Sequence, residues 1–129
     1  MKTIFSFLFS FFLATVALAQ NHPTIKPDST KSHAAILADV KAQNAYLVDV
    51  RTLEEYQAGH LKFSKNIDFK SADFQAQIKN LKKRKPVYLY CRSGNRSGKA
   101  ADSLRSWGFK AVYNLGGLVD LQTAGLPAE

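Results

Sequence analysis

The chain has 129 residues, 18 Lys+Arg against 10 Asp+Glu for a formal net charge of +8, a single Cys and 46% hydrophobic residues. That length suits one domain, and the hydrophobic share excludes a disordered chain. A lone Cys excludes an intrachain disulfide framework and any Cys-rich zinc or iron–sulfur site, and with only three His besides neither a metal nor a cofactor is expected.

Met1-Lys2 is a short basic start, Ile4 to Leu18 is an apolar stretch crowded with Phe, and Ala17-Leu18-Ala19 has the small-x-small pattern of a signal-peptidase site. Residues 1–19 therefore read as a secretory signal peptide. The stretch is short of the roughly 20 apolar residues that span a bilayer, so a mature chain starting at Gln20, periplasmic or secreted and without stable membrane association, is expected. Residues 20–31, with Pro23, Pro27 and Asp28, have no periodicity and read as a flexible arm before a domain over 32–129.

From Ser32 the spacing of Ala35, Ile36 and Val40 predicts a helix ending near Asn44. Tyr46-Leu47-Val48-Asp49-Val50 reads as a buried strand. Thr52 and Glu55, three apart, are a capping-box signature for a short helix closed at Gly59. Leu61 to Phe69 is irregular or extended. Ser71 is expected to cap a helix with Phe74, Ile78 and Leu81 on one face, ended by Lys82-Lys83-Arg84-Lys85 and Pro86. Val87 to Tyr90 is a second strand, Cys91 to Arg96 a polar loop, and Ser97 opens a helix carrying Ala100, Ala101, Leu104 and Trp107 and stopping at Gly108. Ala111 to Tyr113 is a third strand, Gly116-Gly117 a turn, and Leu118 to Thr123 a last helix. Strands alternating with helices indicate an α/β domain with a mainly parallel central sheet and helices on both faces.

The chemistry concentrates where the strand Val87–Tyr90 delivers Cys91 into a polar loop with two Arg, and a helix starts at once. Ligands of open α/β sheets bind outside the carboxyl ends of strands, and loop amides and a helix N-terminus aim positive partial charge there. A thiol so placed is depressed below its free value, with Arg92 and Arg96 helping if they face inward, and Gly94 permits the positive φ such a loop needs. A buried structural Cys needs none of these polar neighbours, so Cys91 reads as a nucleophilic thiolate in an anion-binding cradle.

The segments Leu47-Val48-Asp49-Val50-Arg51, Glu54-Glu55-Tyr56, Gly59-His60, Asn66-Ile67, Tyr90 to Ser97, Gly108-Phe109 and Asn114-Leu115-Gly116-Gly117-Leu118 stand in an order that resembles the single-domain rhodaneses, the sulfurtransferase family, and most of all its small exported bacterial members. The resemblance spans roughly Ser32 to Pro127. One departure is that the family often has Trp soon after the Gly-Gly pair, where this chain has Asp120-Leu121-Gln122. The resemblance implies a rhodanese-like fold and a two-step sulfur transfer through a persulfide on Cys91, from thiosulfate or a similar small anionic donor to a thiophilic acceptor such as cyanide or a thiol. Arg92, Ser93, Gly94, Asn95, Arg96 and Ser97 would bind the donor, and Asp49 with Arg51 would brace the loop as a structural ion pair.

Two other readings stay open. Phosphatases and arsenate reductases also cradle an anion between Cys and Arg, but their loops resemble His-Cys-x5-Arg, whereas here Tyr90 precedes the Cys and only four residues separate Cys91 from Arg96. A non-catalytic persulfide carrier would use the same Cys91. His60 is read as a loop or capping residue, and Lys82 to Lys85 as a solvated cationic helix end, not a nucleic-acid face.

Overall fold

The computed structural model describes residues 29–129. The expected signal peptide over 1–19, and all of the expected arm except residues 29–31, lie outside them. The elements run α1 (His33–Lys41), β1 (Tyr46–Asp49), α2 (Leu53–Gln57), β2 (Lys65–Asn66), α3 (Phe74–Lys79), β3 (Val87–Cys91), α4 (Asn95–Ser106), β4 (Val112–Gly117) and α5 (Leu118–Thr123). The strands form one parallel sheet in the order β2-β1-β3-β4. From β1 the chain goes out to β2 and then returns to β3 on the other side, so the order reverses between β1 and β3, a place where α/β sheets open a crevice.

Side chains alternate across a strand, and the two faces of β3 feed two separate cores. Val87, Leu89 and Cys91 face α3 and α4, packing with Ile78, Ala100, Ala101 and Leu104. Tyr88 and Tyr90 face α1 and α5, packing with Ile36, Val40, Leu115 and Leu121. All five residues of β3 are buried, as expected for a central strand covered by helices on both sides.

Caps explain several of the boundaries. Ser32 accepts from Ala35 N at 3.2 Å, and the capping box of α2 is complete, with Glu55 N donating to Thr52 Oγ1 and Thr52 N donating to Glu55 Oε2.

The structure corrects several expected boundaries. Ser71 does not cap α3; Asp73 is the flanking residue, and the Ser71 hydroxyl is held by the Asp73 carboxylate. The basic run at Lys82–Lys85 lies in a turn past the end of α3, with Lys83 and Lys85 over the rings of Phe109 and Tyr46. Within the segment expected to be irregular or extended, residues 65–66 form a short strand, β2.

Two corrections bear on the site. First, α4 starts at Asn95, so Asn95 and Arg96 belong to its first turn and not to the loop. Second, Gly116-Gly117 is not a turn. Both pair with β3, Gly116 opposite Tyr90 and Gly117 opposite Cys91, after an irregularity between Leu89 and Tyr90. The reason is steric: a Cβ on Gly117 would sit 2.5 Å from the Arg92 carbonyl oxygen, so the strand must carry Gly where the loop crosses it.

Candidate active site

Cys91 ends β3 with its side chain wholly covered. Hydrocarbon lies on one side of it, since it belongs to the core formed with α3 and α4. On the other side are donors. Gly94 N donates to Sγ at 3.0 Å, and the Ser97 hydroxyl stands 3.4 Å from it. Gly94 holds φ 90°, the left-handed conformation that turns its amide inward. Burial pushes the Cys91 thiol up, but the Ser97 hydroxyl and the amides of Ser97, Ser93 and Gly94 favour the charged sulfur more, and the thiol sits below its ordinary value. That combination suits a stored thiolate better than an inert core cysteine.

One buried side chain on β4 organises these donors. Asn114 Nδ2 donates to Gly94 O at 3.0 Å, and its Oδ1 accepts from Ser97 Oγ at 2.7 Å and from Gly116 N at 3.1 Å. Sequence reasoning met Asn114 only as part of a family motif, because nothing local tells that it reaches a loop 20 residues earlier.

Outside the loop lies an open cleft of about 610 Å³ lined by Thr52 and Glu55 after β1, Phe69 and Lys70 after β2, and Arg92, Ser93, Asn95, Arg96 and Lys99 after β3. The carboxyl ends of three strands thus build one site. Of the expected loop residues, Arg92, Ser93 and Asn95 are exposed there, while Gly94 and Ser97 turn inward. Arg96 lines the wall with its guanidinium already engaged, Nη1 to Glu55 Oε2 at 2.7 Å and Nη2 to Oε1 at 3.0 Å. The Arg96 fork holds the Glu55 carboxyl down to about 2, with the Thr52 amide helping against burial. Glu55 was legible as a cap and not as a site residue; its partner is 41 residues away.

Asp49 and Arg51 form a buried pair at the end of β1. The carboxylate accepts from Arg51 N at 2.9 Å, Nε at 3.0 Å and Nη2 at 2.7 Å, and Nη2 also donates to the Gly59 carbonyl. The pair thereby ties the end of β1 to the segment after α2. His60 stacks on Tyr56 with ring centroids 3.7 Å apart, its Nδ1 on Tyr56 O and its backbone paired with Glu129. Among the described residues no group of three or more His, Cys, Asp or Glu gathers to hold a metal, and no helix is long and apolar enough to cross a membrane.

The family model for the rhodanese-like domain matches residues 29–124. The chain belongs to the rhodanese-like domain family. It is 39% identical over 75 residues to the uncharacterized protein YqhL of Bacillus subtilis, a match covering 58% of this chain and 58% of that protein. To the thiosulfate sulfurtransferase GlpE of Pseudomonas putida it is 37% identical over 90 residues, 69% of this chain and 79% of that one. To the thiosulfate sulfurtransferase PspE of Escherichia coli it is 35% identical over 74 residues, 57% and 71% respectively. Among solved structures, a rhodanese with anions from E. coli superposes with a TM-score of 0.56 at 31% identity, covering 66% of this chain and 96% of that one. The Alr3790 protein from Anabaena superposes with a TM-score of 0.65 at 27% identity, covering 74% and 88%. At the level of the family, these rhodanese relatives support sulfurtransferase chemistry.

Proposed function

We propose that this rhodanese-like domain moves a sulfane sulfur from thiosulfate, or a similar small anionic donor, to a thiophilic acceptor such as cyanide or a thiol. The observation that carries the reading is the setting of Cys91 Sγ, which accepts from Gly94 N and faces the Ser97 hydroxyl in a segment whose Arg92, Ser93, Asn95 and Arg96 line a cleft together with Lys70 and Lys99. Two relatives bear the name thiosulfate sulfurtransferase.

In the first step the Cys91 thiolate attacks the outer sulfur of thiosulfate. The new S–S bond forms as the donor's S–S bond breaks, and the bonding pair leaves on sulfite. The Cys91 persulfide that remains keeps one negative charge, which the Gly94 amide and its neighbouring loop amides stabilise. In the second step the acceptor attacks the outer sulfur and the electron pair returns to Sγ, regenerating the thiolate. Both are thiol-exchange displacements on divalent sulfur, and the covalent intermediate divides one hard transfer into two easier ones. The donors that lower the Cys91 thiol favour its ionised form, and in that form no general base is needed. Arg92 at the cleft wall binds the departing anion, while the Arg96 fork is held by Glu55. Because Cys91 is covered, the donor reaches Sγ only as the Arg92–Gly94 segment yields. The apolar run of residues 1–19 supports action outside the cytoplasm, in the periplasm or the medium.

Intact mass after incubation with thiosulfate tests the reading: one added sulfur atom is expected on the wild type and none on Cys91→Ser. Thiocyanate released over many turnovers separates an enzyme from a persulfide carrier, which would load once and stop. No hydrolysis of aryl phosphates is expected, because an arginine whose fork is filled by a carboxylate does not offer the bidentate grip that a transferring phosphoryl group needs. A wild type that neither gains sulfur nor forms thiocyanate overturns the proposal.

A further inference from the structure

Glu55 and Arg96 meet across the cleft in a two-pronged clasp, half-buried on both sides. The planar guanidinium fork matches one carboxylate at a time, so the edge held by Glu55 is closed to an oxyanion of the donor. Glu55 also brings its own charge to the wall, ionised throughout the neutral range. A fixed negative charge acts on a doubly charged ligand with twice the energy it exerts on a singly charged one. The pair is neutral as a unit, and the cleft's remaining attraction for anions comes from Arg92, Lys70 and Lys99.

We infer that Glu55 is the residue that sets the charge preference of this site. By filling the Arg96 fork and standing on the cleft wall, it shifts acceptance from dianionic sulfane donors toward monoanionic ones. This rests on the sulfur-donor reading of the same cleft. Glu55 also has a structural duty in the capping box of α2, and Gln at that position closes a capping box as well as Glu does. Glu55→Gln therefore keeps the cap and removes the charge, leaving a fork that binds oxyanions.

Two donors with the same outer sulfur make the comparison: thiosulfate, with two charges, and methanethiosulfonate, with one. They are titrated calorimetrically into Cys91→Ser protein, where no covalent step intervenes, with and without Glu55→Gln, and kcat/KM is measured for both donors on the Cys91 background. The preference for thiosulfate over methanethiosulfonate is expected to rise on the order of tenfold in Glu55→Gln, the scale of one unit charge met in a partly screened cleft. Arg96→Gln is expected to move the preference the opposite way through loss of its own cation, so if Glu55→Gln does not fold the deciding contrast is Arg96→Gln against the double variant Arg96→Gln/Glu55→Gln, which differ only in the Glu55 charge. A preference unchanged within about twofold in a folded variant overturns the assignment. If the binding preference shifts while the Cys91 protein never acquires sulfur, the sulfurtransferase reading falls and the role of Glu55 in anion selection stands. If sulfur is transferred and neither preference moves, the outcome is the reverse.

Discussion

Asn114 Nδ2 donates to the carbonyl of Gly94, 3.0 Å away, and the amide of the same residue points at Cys91 Sγ. A β4 side chain thus aims a β3–α4 loop, and the loop aims at the sulfur. Asn114→Ala leaves the Gly94 carbonyl with only the Gly98 amide, takes the Oδ1 acceptor from the buried Gly116 amide and frees the Ser97 hydroxyl from Oδ1. Stability is expected to fall by about 1–3 kcal/mol, the cost of stranding buried polar groups. Sulfur transfer is expected to fall further than stability alone explains, up to about 10²-fold if the Gly94 amide moves by about 1 Å. Denaturation midpoints and kcat/KM on the same preparation separate the two effects, and a stable variant with full activity contradicts the role given to Asn114.

Cys91→Ser replaces the only cysteine with a group of similar size that is not ionised at neutral pH and holds no persulfide. Thiocyanate formation from thiosulfate and cyanide is expected to vanish, with little change in the unfolding transition. Residual turnover above the uncatalysed rate would place the nucleophile elsewhere.

The sign of the pH dependence follows from the lowered thiol. Cys91 is held below its ordinary value by Ser97 and the loop amides. Its ionised form therefore contributes stability that is present above the unfolded thiol's pKa and is lost as pH falls through the folded one. Ser97→Ala removes the hydroxyl and is expected to raise the folded value, moving the midpoint of sulfur-loading rate against pH to higher pH. An unmoved midpoint would show that the amides alone hold the thiolate. Glu55 follows the same sign in a lower window. Its carboxyl, ordinarily at 4.5, is held at about 2, so its contribution is complete above about 4.5 and disappears between there and 2. Glu55→Gln is expected to flatten stability against pH in that interval, as read by urea midpoints at successive pH values.

Gly117→Ala tests the crossing of loop and strand. Its Cβ would stand 2.5 Å from the Arg92 carbonyl oxygen, closer than any backbone tolerates, so the loop must lift. Thiosulfate kcat/KM is expected to drop by at least about tenfold, with a smaller loss in Gly98→Ala, whose Cβ meets the end of the Asn114 side chain at 3.3 Å. Equal activity in both would remove the loop crossing from the account of the site.

Much of this architecture is legible from residue order. Apolar β-branched runs mark β1 and β3, the Thr52–Glu55 spacing marks α2, and the change from strand to polar loop at Cys91 marks the site. The rest is not, for physical reasons. Gly116-Gly117 looks like a turn because glycine pairs usually supply positive φ; Gly116 does hold φ 101°, but inside β4, and Gly117 makes room for a carbonyl from another segment. Glu55 disappears as a site residue because its cap already accounts for it, and a bidentate ion pair across 41 residues leaves no periodic trace. The interior placement of Ser97 follows from α4 starting two residues early, within the few residues by which helix starts escape local reading.

The floor beneath Cys91 has a consequence for the order of events in a catalytic cycle. Leu89, Ala100 and Ala101 are fully buried and belong to the same close-packed cluster as the thiol, and such interiors do not take in an extra atom the size of sulfur without strain. A second sulfur bonded to Sγ is therefore steered outward, past Gly94 toward the open cleft. On the sulfur-transfer reading proposed above, the resting protein conceals its reactive atom from oxidants and stray thiols, and a loaded one would present its cargo at the cleft, where an acceptor meets the transferable atom without having to reach the cysteine.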